Sequence, residues 1–368
     1  MKVAIVHDWL DKYAGSERVL EQIVDLFPQA DLYSLVDFLE DKTFIKNKKV
    51  YTSFIQKFPF ARKYFRFYLP LFPLAIESFD LSDYDFIISS SHCIAKSVKK
   101  HKDQIHISYI HTPARYVWDL RQQYLEETGF NRGIKKYIAN LILDYIKRFD
   151  LKTIDRVDYF IANSNYIKEK IKKNYGKEAY VIYPPVDVNK FNLNEKKEDF
   201  YLVVSRLEPY KKVNVIVSAF NKMPDKKLVV IGEGSQMEKI KRIAGKNVEI
   251  LGFQPADVVR RYMETAKAFV YSAEEDFGIA LVEAQSAGTP VVAFRKGGAT
   301  ETVLEGITGV FFDFQMPSAI IEAVKKLDQI YHKLDFKKIR LHSLKFSTER
   351  FRKEFIDFVN NVLENHKV

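Results

Sequence analysis

The chain has 368 residues, of which 47% are apolar, and it contains one cysteine, Cys93. This length predicts two or three domains of roughly 100 to 200 residues each, and the single cysteine excludes an internal disulfide framework and a cysteine-rich zinc site. No stretch is both long and uncharged enough to span a membrane, and a strand begins where a signal peptide would, so we expect a cytoplasmic protein.

The chain carries a formal net charge of +10. An excess of lysine and arginine raises nucleic-acid binding as one candidate function. The positive charge is distributed over both halves, however, and no nucleic-acid-binding motif is present, so we do not expect a nucleic acid as partner.

Predicted strands and helices alternate along the chain in two series. The first series has strands at 3–7, 32–35, 86–88, 105–109, 159–161 and 180–182, and helices at 16–27, 134–154 and 166–175. After Pro184 and Pro185, the second series has strands at 200–204, 228–231, 248–251, 269–271 and 290–293, and a last helix at 348–365. The alternation predicts an α/β fold with one parallel sheet in each half. Because ligands bind beyond the carboxyl ends of such strands, we expect the two halves to face each other across a cleft.

The stretch from 42 to 76 contains no acidic residue and interleaves lysines and arginines with aromatic residues. Cations suit the headgroups of an anionic membrane and aromatic rings suit its interface, so one interpretation is peripheral contact with the inner membrane face. The other interpretation is that the rings pack the core of the first domain and the cations are solvated. The sequence leaves both open.

Two groups of ionisable residues in the first half could take part in chemistry. His111 follows a strand and precedes Thr112 and Pro113, which places it at a carboxyl end of the first sheet; a lone histidine in such a place is more often structural. Asp83 and Asp85 could hold a divalent cation, but they lead directly into a strand, so we interpret them as a strand start and expect no metal site.

Two cations lie five residues apart in the second half. Arg206 and Lys211 follow the strand 200–204. Arginine offers a planar fork of donors and lysine a mobile point charge, so the pair can neutralise a diphosphate without a metal ion.

The segment 272–283 predicts a loop that leads into a helix. Gly278 would lie at the helix amino terminus, where free backbone N–H groups bind anions and a missing Cβ permits close approach. Glu275 and Glu283 would bracket that anion site and contact hydroxyl groups on either side of it. The alternative is a pair of solvated glutamates, but the cations described above favour a ligand.

Eight segments together resemble a known family. They are Gly15-Ser-Glu-Arg18, Ser108-Tyr-Ile-His-Thr-Pro113, Ile161-Ala-Asn-Ser164, Val181-Ile-Tyr-Pro-Pro-Val-Asp187, Ser205-Arg-Leu-Glu-Pro-Tyr-Lys211, Glu275 to Glu283, Glu283 to Val292 and Gly297-Gly-Ala-Thr-Glu301. Their order and spacing resemble the retaining group 1 (family 4) glycosyltransferases over nearly the whole chain. The resemblance implies the GT-B architecture, with two Rossmann-like domains: an acceptor-binding domain at 1–185, onto which the helix 348–365 packs back, and a nucleotide-sugar-binding domain at 186–347.

The resemblance also implies a reaction and its residues. A hexose would pass from a nucleoside diphosphate sugar to an acceptor hydroxyl with retention at the anomeric carbon, without a cofactor. The implied catalytic residues are His111 and Glu275, and the implied substrate-binding residues are Gly15, Arg206, Lys211, Phe253, Phe277, Gly278, Ile279 and Glu283. Ser16, Ser205 and Lys212 replace glycines that are frequent in the family, and Lys212 could take the phosphate role of Lys211.

The segments 109–119 and 203–212 look most like mannosyltransferases of surface-polysaccharide assembly. This likeness implies GDP-mannose as donor and a glycan or lipid-linked acceptor in polysaccharide synthesis. A UDP-sugar donor is the alternative within the same fold. From other classes, a basic nucleic-acid-binding protein or a glycan-binding protein without catalysis also remain alternatives.

Overall fold

The chain forms two compact units. A computed structural model describes residues 1–366, and it divides the chain into Met1–Tyr183 with Arg352–Val368, and Pro184–Phe351. Each unit is an α/β fold around one parallel sheet. Among the described residues, no helix is long and apolar enough to cross a membrane.

The first unit is built on a seven-stranded sheet. Its strands are β1 (Val3–His7), β2 (Asp31–Ser34), β3 (Val50–Thr52), β4 (Phe86–Ser91), β5 (Ile105–Ile110), β6 (Tyr159–Ala162) and β7 (Ala179–Val181). They lie in the order β3-β2-β1-β4-β5-β6-β7 with every pair parallel. All six residues of β4 are buried, as expected of a central strand covered on both faces.

Helices cover this sheet. They are α1 (Gly15–Leu26), α2 (Ala61–Tyr64), α3 (Phe72–Glu77), α4 (Arg115–Trp118), α5 (Arg121–Glu127), α6 (Gly133–Lys152) and α7 (Asn165–Tyr175). Helix α7 shows how the sequence sets their ends. The Ser164 hydroxyl accepts the N–H of Ile167 at its start, and Gly176 ends it with a φ of +65°, a conformation that costs glycine little.

The basic, aromatic stretch 42–76 divides its rings between the core and the surface. Phe65 and Phe72 are buried in the hydrophobic core of the first unit, whereas Phe60 and Phe67 are exposed. Core packing therefore explains part of the aromatic content of this stretch, and the exposed rings need another explanation.

The second unit is built on a six-stranded sheet. Its strands are β8 (Glu198–Val204), β9 (Lys227–Ile231), β10 (Val248–Gly252), β11 (Ala266–Tyr271), β12 (Val291–Phe294) and β13 (Gly309–Phe312). Their order is β10-β9-β8-β11-β12-β13, again all parallel. The helices are α8 (Val213–Phe220), α9 (Met237–Ile243), α10 (Ala256–Thr265), α11 (Ile279–Ser286), α12 (Ala299–Thr302), α13 (Pro317–Ile330) and α14 (Phe336–Ser343).

The last helix, α15 (Thr348–Asn365), starts in the second unit and belongs to the first from Arg352 onward. The Arg352 guanidinium donates to the Gln22 side-chain oxygen at 2.6 Å and pairs with the Asp25 carboxylate. The ring of Phe355, which is fully buried, lies 6.5 Å from the ring of Phe27. These contacts join α15 to α1.

Removing the Phe355 side chain should destabilise the first unit. We expect Phe355→Ala to lower its free energy of unfolding by about 3–5 kcal/mol, because truncating a buried phenylalanine loses burial and leaves a cavity. Both tryptophans, Trp9 and Trp118, lie in this unit, so tryptophan fluorescence during urea unfolding measures it. Lys353→Ala, at an exposed neighbouring position, is the control and should change little.

Candidate active site

The strand order of the second unit determines where a ligand can reach the edge of its sheet. Strands β8 and β11 are neighbours, but the chain continues from β8 to β9 on one side and from β11 to β12 on the other. At such a switch point, the two connections diverge and leave the carboxyl ends of both strands accessible to a ligand. The segment 205–212 follows β8 and the segment 272–278 follows β11, so the predicted cations and Glu275 come to the same edge of the sheet.

Lys211, Tyr271 and Glu275 form a connected polar cluster at this edge. The Lys211 ammonium forms an ion pair with the Glu275 carboxylate and donates to the Tyr271 hydroxyl at 3.0 Å. The Tyr271 hydroxyl in turn donates to Glu275 Oε1 at 2.7 Å. The Lys211 and Glu275 side chains are only 11% and 17% exposed, so solvent screens their charges weakly.

The electrostatics of the cluster keep its lysine charged. Burial alone would lower the pKa of Lys211, but Tyr271 and Glu275 beside it raise that pKa above the ordinary value. Burial and the Glu275 charge raise the pKa of Tyr271, so the hydroxyl remains a donor. The cluster therefore holds one positive and one negative group side by side across the physiological pH range.

Hydrogen bonds tie the segments after β8 and β11 together. The Ser272 hydroxyl donates to the carbonyl oxygens of Lys211 and Lys212, at 3.0 Å each. Gln315 Nε2 donates to the Ser272 carbonyl at 2.6 Å. Lys212 has a φ of +55° immediately before α8, a left-handed conformation that favours glycine.

Glycines shape the loop that carries Glu275. Gly278 precedes α11 with a φ of +90°, and the buried Phe277 ring packs on Phe346. The Gly298 N–H donates to the Glu275 carbonyl at 2.8 Å. A Cβ at Gly297 would lie 2.2 Å from that same carbonyl oxygen, and one at Gly298 would lie 2.2 Å from Phe277 Cα. The loop can adopt this path only because both neighbours lack side chains.

The remaining predicted donor-site residues lie near the same sheet edge or in α11. Arg206 is exposed and donates to the Tyr210 hydroxyl at 2.7 Å. Ile279 is the first residue of α11, and Glu283 lies within that helix, half-buried. Phe253 follows β10 and is exposed.

The turn Gly232-Glu-Gly234 after β9 supports the segment that carries Arg206. A Cβ at Gly232 would lie 1.9 Å from the Ser205 carbonyl oxygen, and one at Gly234 would lie 2.5 Å from that of Leu207. The Leu207 N–H donates to the Glu233 carbonyl at 2.8 Å. Tight backbone packing therefore accounts for both glycines.

In the first unit, His111 ends a chain of buried side chains. Its Nε2 lies 2.8 Å from Ser90 Oγ, which lies 3.1 Å from His7 Nδ1, and His7 Nε2 lies 3.3 Å from Glu17 Oε1. His7 is the last residue of β1, Ser90 is the last but one of β4, and His111 follows β5. The strand order switches between β1 and β4, so this network also lies at a switch point.

The Glu17 carboxylate is the charged end of this network. Burial would raise the pKa of the Glu17 carboxyl, but the hydrogen bond and the positive charge of His7 lower it to about 2. Glu17 is thus an acceptor for the Nε2–H of His7. Ser90 Oγ then connects His7 Nδ1 to His111 Nε2 in the same network.

Ser90 holds the His111 ring through its Nε2 atom. Burial, together with the nearby His92 and His7, lowers the pKa of His111 well below its ordinary value, so the ring is neutral at neutral pH. Gly15 begins α1 beside this network, and the Glu17 carboxylate accepts the Ala14 N–H at 3.0 Å.

Asp8 organises the loop that follows β4. Its carboxylate accepts the backbone N–H groups of four successive residues, 92–95, at 2.5 to 2.9 Å. A carboxylate that receives this many backbone donors fixes the loop conformation strongly. Asp8 therefore holds the backbone next to Ser90 and His111.

The predicted residues that the structure brings into contact are Lys211 and Glu275. The sequence analysis missed Tyr271, His7, Ser90 and Glu17 as parts of the two networks. A usable signal existed, because Tyr271 and His7 are polar residues at the last position of a parallel strand, where ligands bind. Within residues 1–366, no cluster of three or more histidine, cysteine or acidic side chains is arranged to hold a metal ion.

Two family models match the chain. The model of Glycosyltransferase Family 4 matches residues 13–190, and the model of Glycosyl transferases group 1 matches residues 186–334. The chain belongs to the group 1, family 4 glycosyltransferases. The cluster of Lys211, Tyr271 and Glu275 lies inside the second matched range, whereas the network of the first unit lies inside the first matched range except for His7, which precedes it.

Two curated proteins show how far this group 1 glycosyltransferase resembles its relatives. It is 31% identical over 175 residues to uncharacterized glycosyltransferase MJ1178 of Methanocaldococcus jannaschii, which is 46% of this chain and 49% of that protein. It is 28% identical to the GDP-mannose-dependent alpha-(1-6)-phosphatidylinositol monomannoside mannosyltransferase of Mycolicibacterium smegmatis. This match extends over 195 residues, which are 45% of this chain and 51% of that protein. The chain thus spans about half the length of these relatives.

The solved structure of Anabaena Alr3699/HepE in complex with UDP resembles this group 1 glycosyltransferase in fold. The TM-score is 0.71 at 17% identity, over 98% of this chain and 100% of that one. Both consist of two Rossmann-like, parallel-sheet domains of the GT-B type.

The buried Glu17 carboxylate should make the stability of the first unit depend on acid pH. Since its pKa in the fold is about 2, below the ordinary 4.5, its contribution is present above about pH 4.5 and is lost as the pH falls toward 2. We expect the difference in unfolding free energy between the wild type and Glu17→Gln to be about 1.5 kcal/mol smaller at about pH 3.5 than at about pH 6.

Urea unfolding followed by tryptophan fluorescence at the two pH values measures this difference. Glu21→Gln is the matched control, since Glu21 lies on the same helix and its carboxylate meets Tyr13 at the surface. An equal effect of Glu17→Gln at both pH values would contradict the buried, charged state of Glu17.

Proposed function

We propose that this protein transfers a hexose from a nucleoside diphosphate sugar to an acceptor hydroxyl, with retention at the anomeric carbon. The observation that carries this proposal is the cluster of Lys211, Tyr271 and Glu275 at the switch point between β8 and β11, beside the glycine-led start of α11. Within one unit it combines a largely buried cation, a carboxylate that would bind sugar hydroxyls and a helix terminus that would bind the diphosphate.

The diphosphate would be held by charge and by backbone donors. Arg206, which is exposed, can offer two parallel N–H groups to phosphate oxygens. Lys211 remains charged and can stabilise the negative charge that grows on the leaving phosphate. The N–H groups at Phe277, Gly278 and Ile279 would complete this set, as they begin a helix. Lys212 is the competing candidate for the role of Lys211.

The sugar and the nucleoside would lie on either side of the diphosphate. Glu275 would accept hydrogen bonds from sugar hydroxyls, because Lys211 and Tyr271 keep its carboxylate charged and oriented. Glu283 would accept hydrogen bonds from the ribose hydroxyls. The exposed ring of Phe253 offers a surface on which a base can stack, an interaction of roughly 1–3 kcal/mol for nucleobases on aromatic side chains.

His111 would form a hydrogen bond with the donor sugar through its ring. Gly15, next to the same network, would allow the main chain to approach the donor or the acceptor. No carboxylate is assigned as a nucleophile. The bond from the anomeric carbon to the phosphate oxygen breaks, the bond to the acceptor oxygen forms on the same face, and the acceptor proton passes to the leaving phosphate oxygen.

We propose GDP-mannose as the donor. The support is the likeness of the segments 109–119 and 203–212 to mannosyltransferases, together with the GDP-mannose-dependent relative from Mycolicibacterium smegmatis. The alternative is a UDP-sugar, which is supported by the complex of Anabaena Alr3699/HepE with UDP-glucose. Release of GDP or UDP from each sugar nucleotide, with product configuration read by NMR coupling constants, separates the two and tests retention.

Loss of the Arg206 guanidinium should weaken nucleotide binding. We expect Arg206→Ala to raise the Kd for the nucleoside diphosphate by about 10- to 100-fold, because charge-assisted hydrogen bonds contribute about 1.5–3 kcal/mol. Isothermal titration calorimetry measures the change. Arg261→Ala, which removes an exposed arginine from α10, is the control. Equal affinities of the two variants would contradict the assignment of Arg206.

Loss of the Ser90 hydroxyl should slow turnover without weakening donor binding. Ser90 orients the His111 ring through their hydrogen bond, so we expect Ser90→Ala to lower kcat about 10-fold with little change in the donor KM. Ser90→Thr, which keeps the hydroxyl, should restore much of the rate.

The neighbouring residue provides the control for Ser90. Ser89 is also buried in β4, but its hydroxyl contacts His106 and Ser108. Ser89→Ala should therefore leave kcat nearly unchanged. A similar loss of kcat in both alanine variants would show that the Ser90 effect is only structural.

A further inference from the structure

Helix α6 is apolar on two opposite faces, and only one of them is covered. Ala139, Leu143 and Ile146 are buried against the first unit. The outward stripe is also apolar and is between 44% and 75% exposed; it consists of Ile134, Tyr137, Ile138, Leu141 and Tyr145. Positions three, four, seven and eleven apart lie on one side of an α-helix. The outward side of a surface helix is ordinarily polar, so this stripe indicates a partner.

A second group of exposed apolar residues adjoins α6. It consists of Phe60, Tyr64, Phe67 and Leu74, of which Phe60 is 80% exposed. The residues 65–71 pack beside α6, and the Phe67 ring lies 6.4 Å from the ring of Phe130, three residues before the helix. We call the outward stripe and this second group together the α6 surface. Monomeric soluble proteins rarely expose apolar groups of this extent without a binding role.

The charges around the α6 surface are mainly positive. Exposed cations are Lys57, Lys63, Arg132, Lys135, Lys136, Arg148 and Lys152, together with Arg62 and Arg66, which pair with Glu40 and Asp11. The two acidic residues of α6 are already engaged: Asp144 pairs with Arg121, and the buried Asp150 pairs with Lys96. The stretch 42–76 has no acidic residue at all. A partner with negative charge outside and an apolar interior complements this arrangement.

We propose that the α6 surface docks on an anionic membrane. The aromatic and aliphatic side chains would enter the interfacial region, and the cations would meet the phosphate and carboxylate groups of the lipids. A symmetric contact with a second copy would place the same basic residues opposite each other, which like-charge repulsion disfavours. The proposal does not depend on the transferase activity, since it rests on a different surface of the first unit.

Sedimentation with vesicles tests the proposal on the full chain. The probes are vesicles of phosphatidylcholine alone and of phosphatidylcholine mixed with phosphatidylserine, at low and at high salt. We expect binding to the mixed vesicles at low salt and much weaker binding to the neutral ones. Absence of binding to the mixed vesicles at low salt, or equal binding to both kinds, would overturn the proposal.

Two variants locate the bound surface. Ile138→Ser combined with Leu141→Ser should lower the partition coefficient at least tenfold. The matched control is Leu341→Ser, since Leu341 is an exposed leucine of α14 in the other unit, and it should have no effect. Lys135→Gln combined with Lys136→Gln should lower binding roughly 30-fold, because each cation near an anionic surface contributes about 1 kcal/mol to the binding free energy.

Folding and self-association are checked on the same samples. The apolar-to-serine changes lie at exposed positions, so the urea midpoint of tryptophan fluorescence should be unchanged. Unaltered vesicle binding of the double serine variant would overturn the assignment to α6. A lipid-free dimer in analytical ultracentrifugation that this variant abolishes would assign the surface to a second copy instead.

Discussion

The strand order of the two parallel sheets is the constraint on which both polar networks depend. In each sheet, two neighbouring strands send the chain in opposite directions, β1 and β4 in the first unit and β8 and β11 in the second. The carboxyl ends of these strands are left without a crossing connection. Side chains from segments distant in sequence can therefore meet there, as Lys211 and Glu275 do across 64 positions.

The alternation of apolar strands with helices was sufficient to predict the fold class. Sequence reasoning missed β3 and β13, and each lies at an edge of its sheet. Strands β3 and β13 are short, and as edge strands each has only one strand neighbour, so their apolar pattern in the sequence is weak. The four-residue helices α2, α4 and α12 are also too short to give a clear pattern. The predicted strand at 86–88 runs to Ser91 in the structure. Its last residues are serines, and a run of polar residues does not show the apolar pattern from which a buried strand is predicted.

The segments that we propose to bind the donor could be singled out because their motifs are local in sequence. The two polar networks could not be predicted, since they depend on strand order: Ser90 connects His7 to His111 only because β4 lies between β1 and β5. At Lys212, the structure shows the consequence of replacing a glycine that is frequent in the family. Its left-handed φ of +55° suits the glycine that is frequent there, so the lysine accepts a conformational cost of about 1–2 kcal/mol.

We propose that the second unit holds a nucleoside diphosphate through its own cations, and thermal unfolding tests this directly. The protein is unfolded with saturating GDP and, separately, with saturating UDP, each with and without a chelator. A ligand at about 100 times its Kd stabilises the folded protein by roughly 2.7 kcal/mol. The account predicts a GDP-selective increase in Tm that the chelator does not reduce. An increase with UDP alone would contradict the mannose donor, and no increase with either nucleotide would contradict the donor site itself.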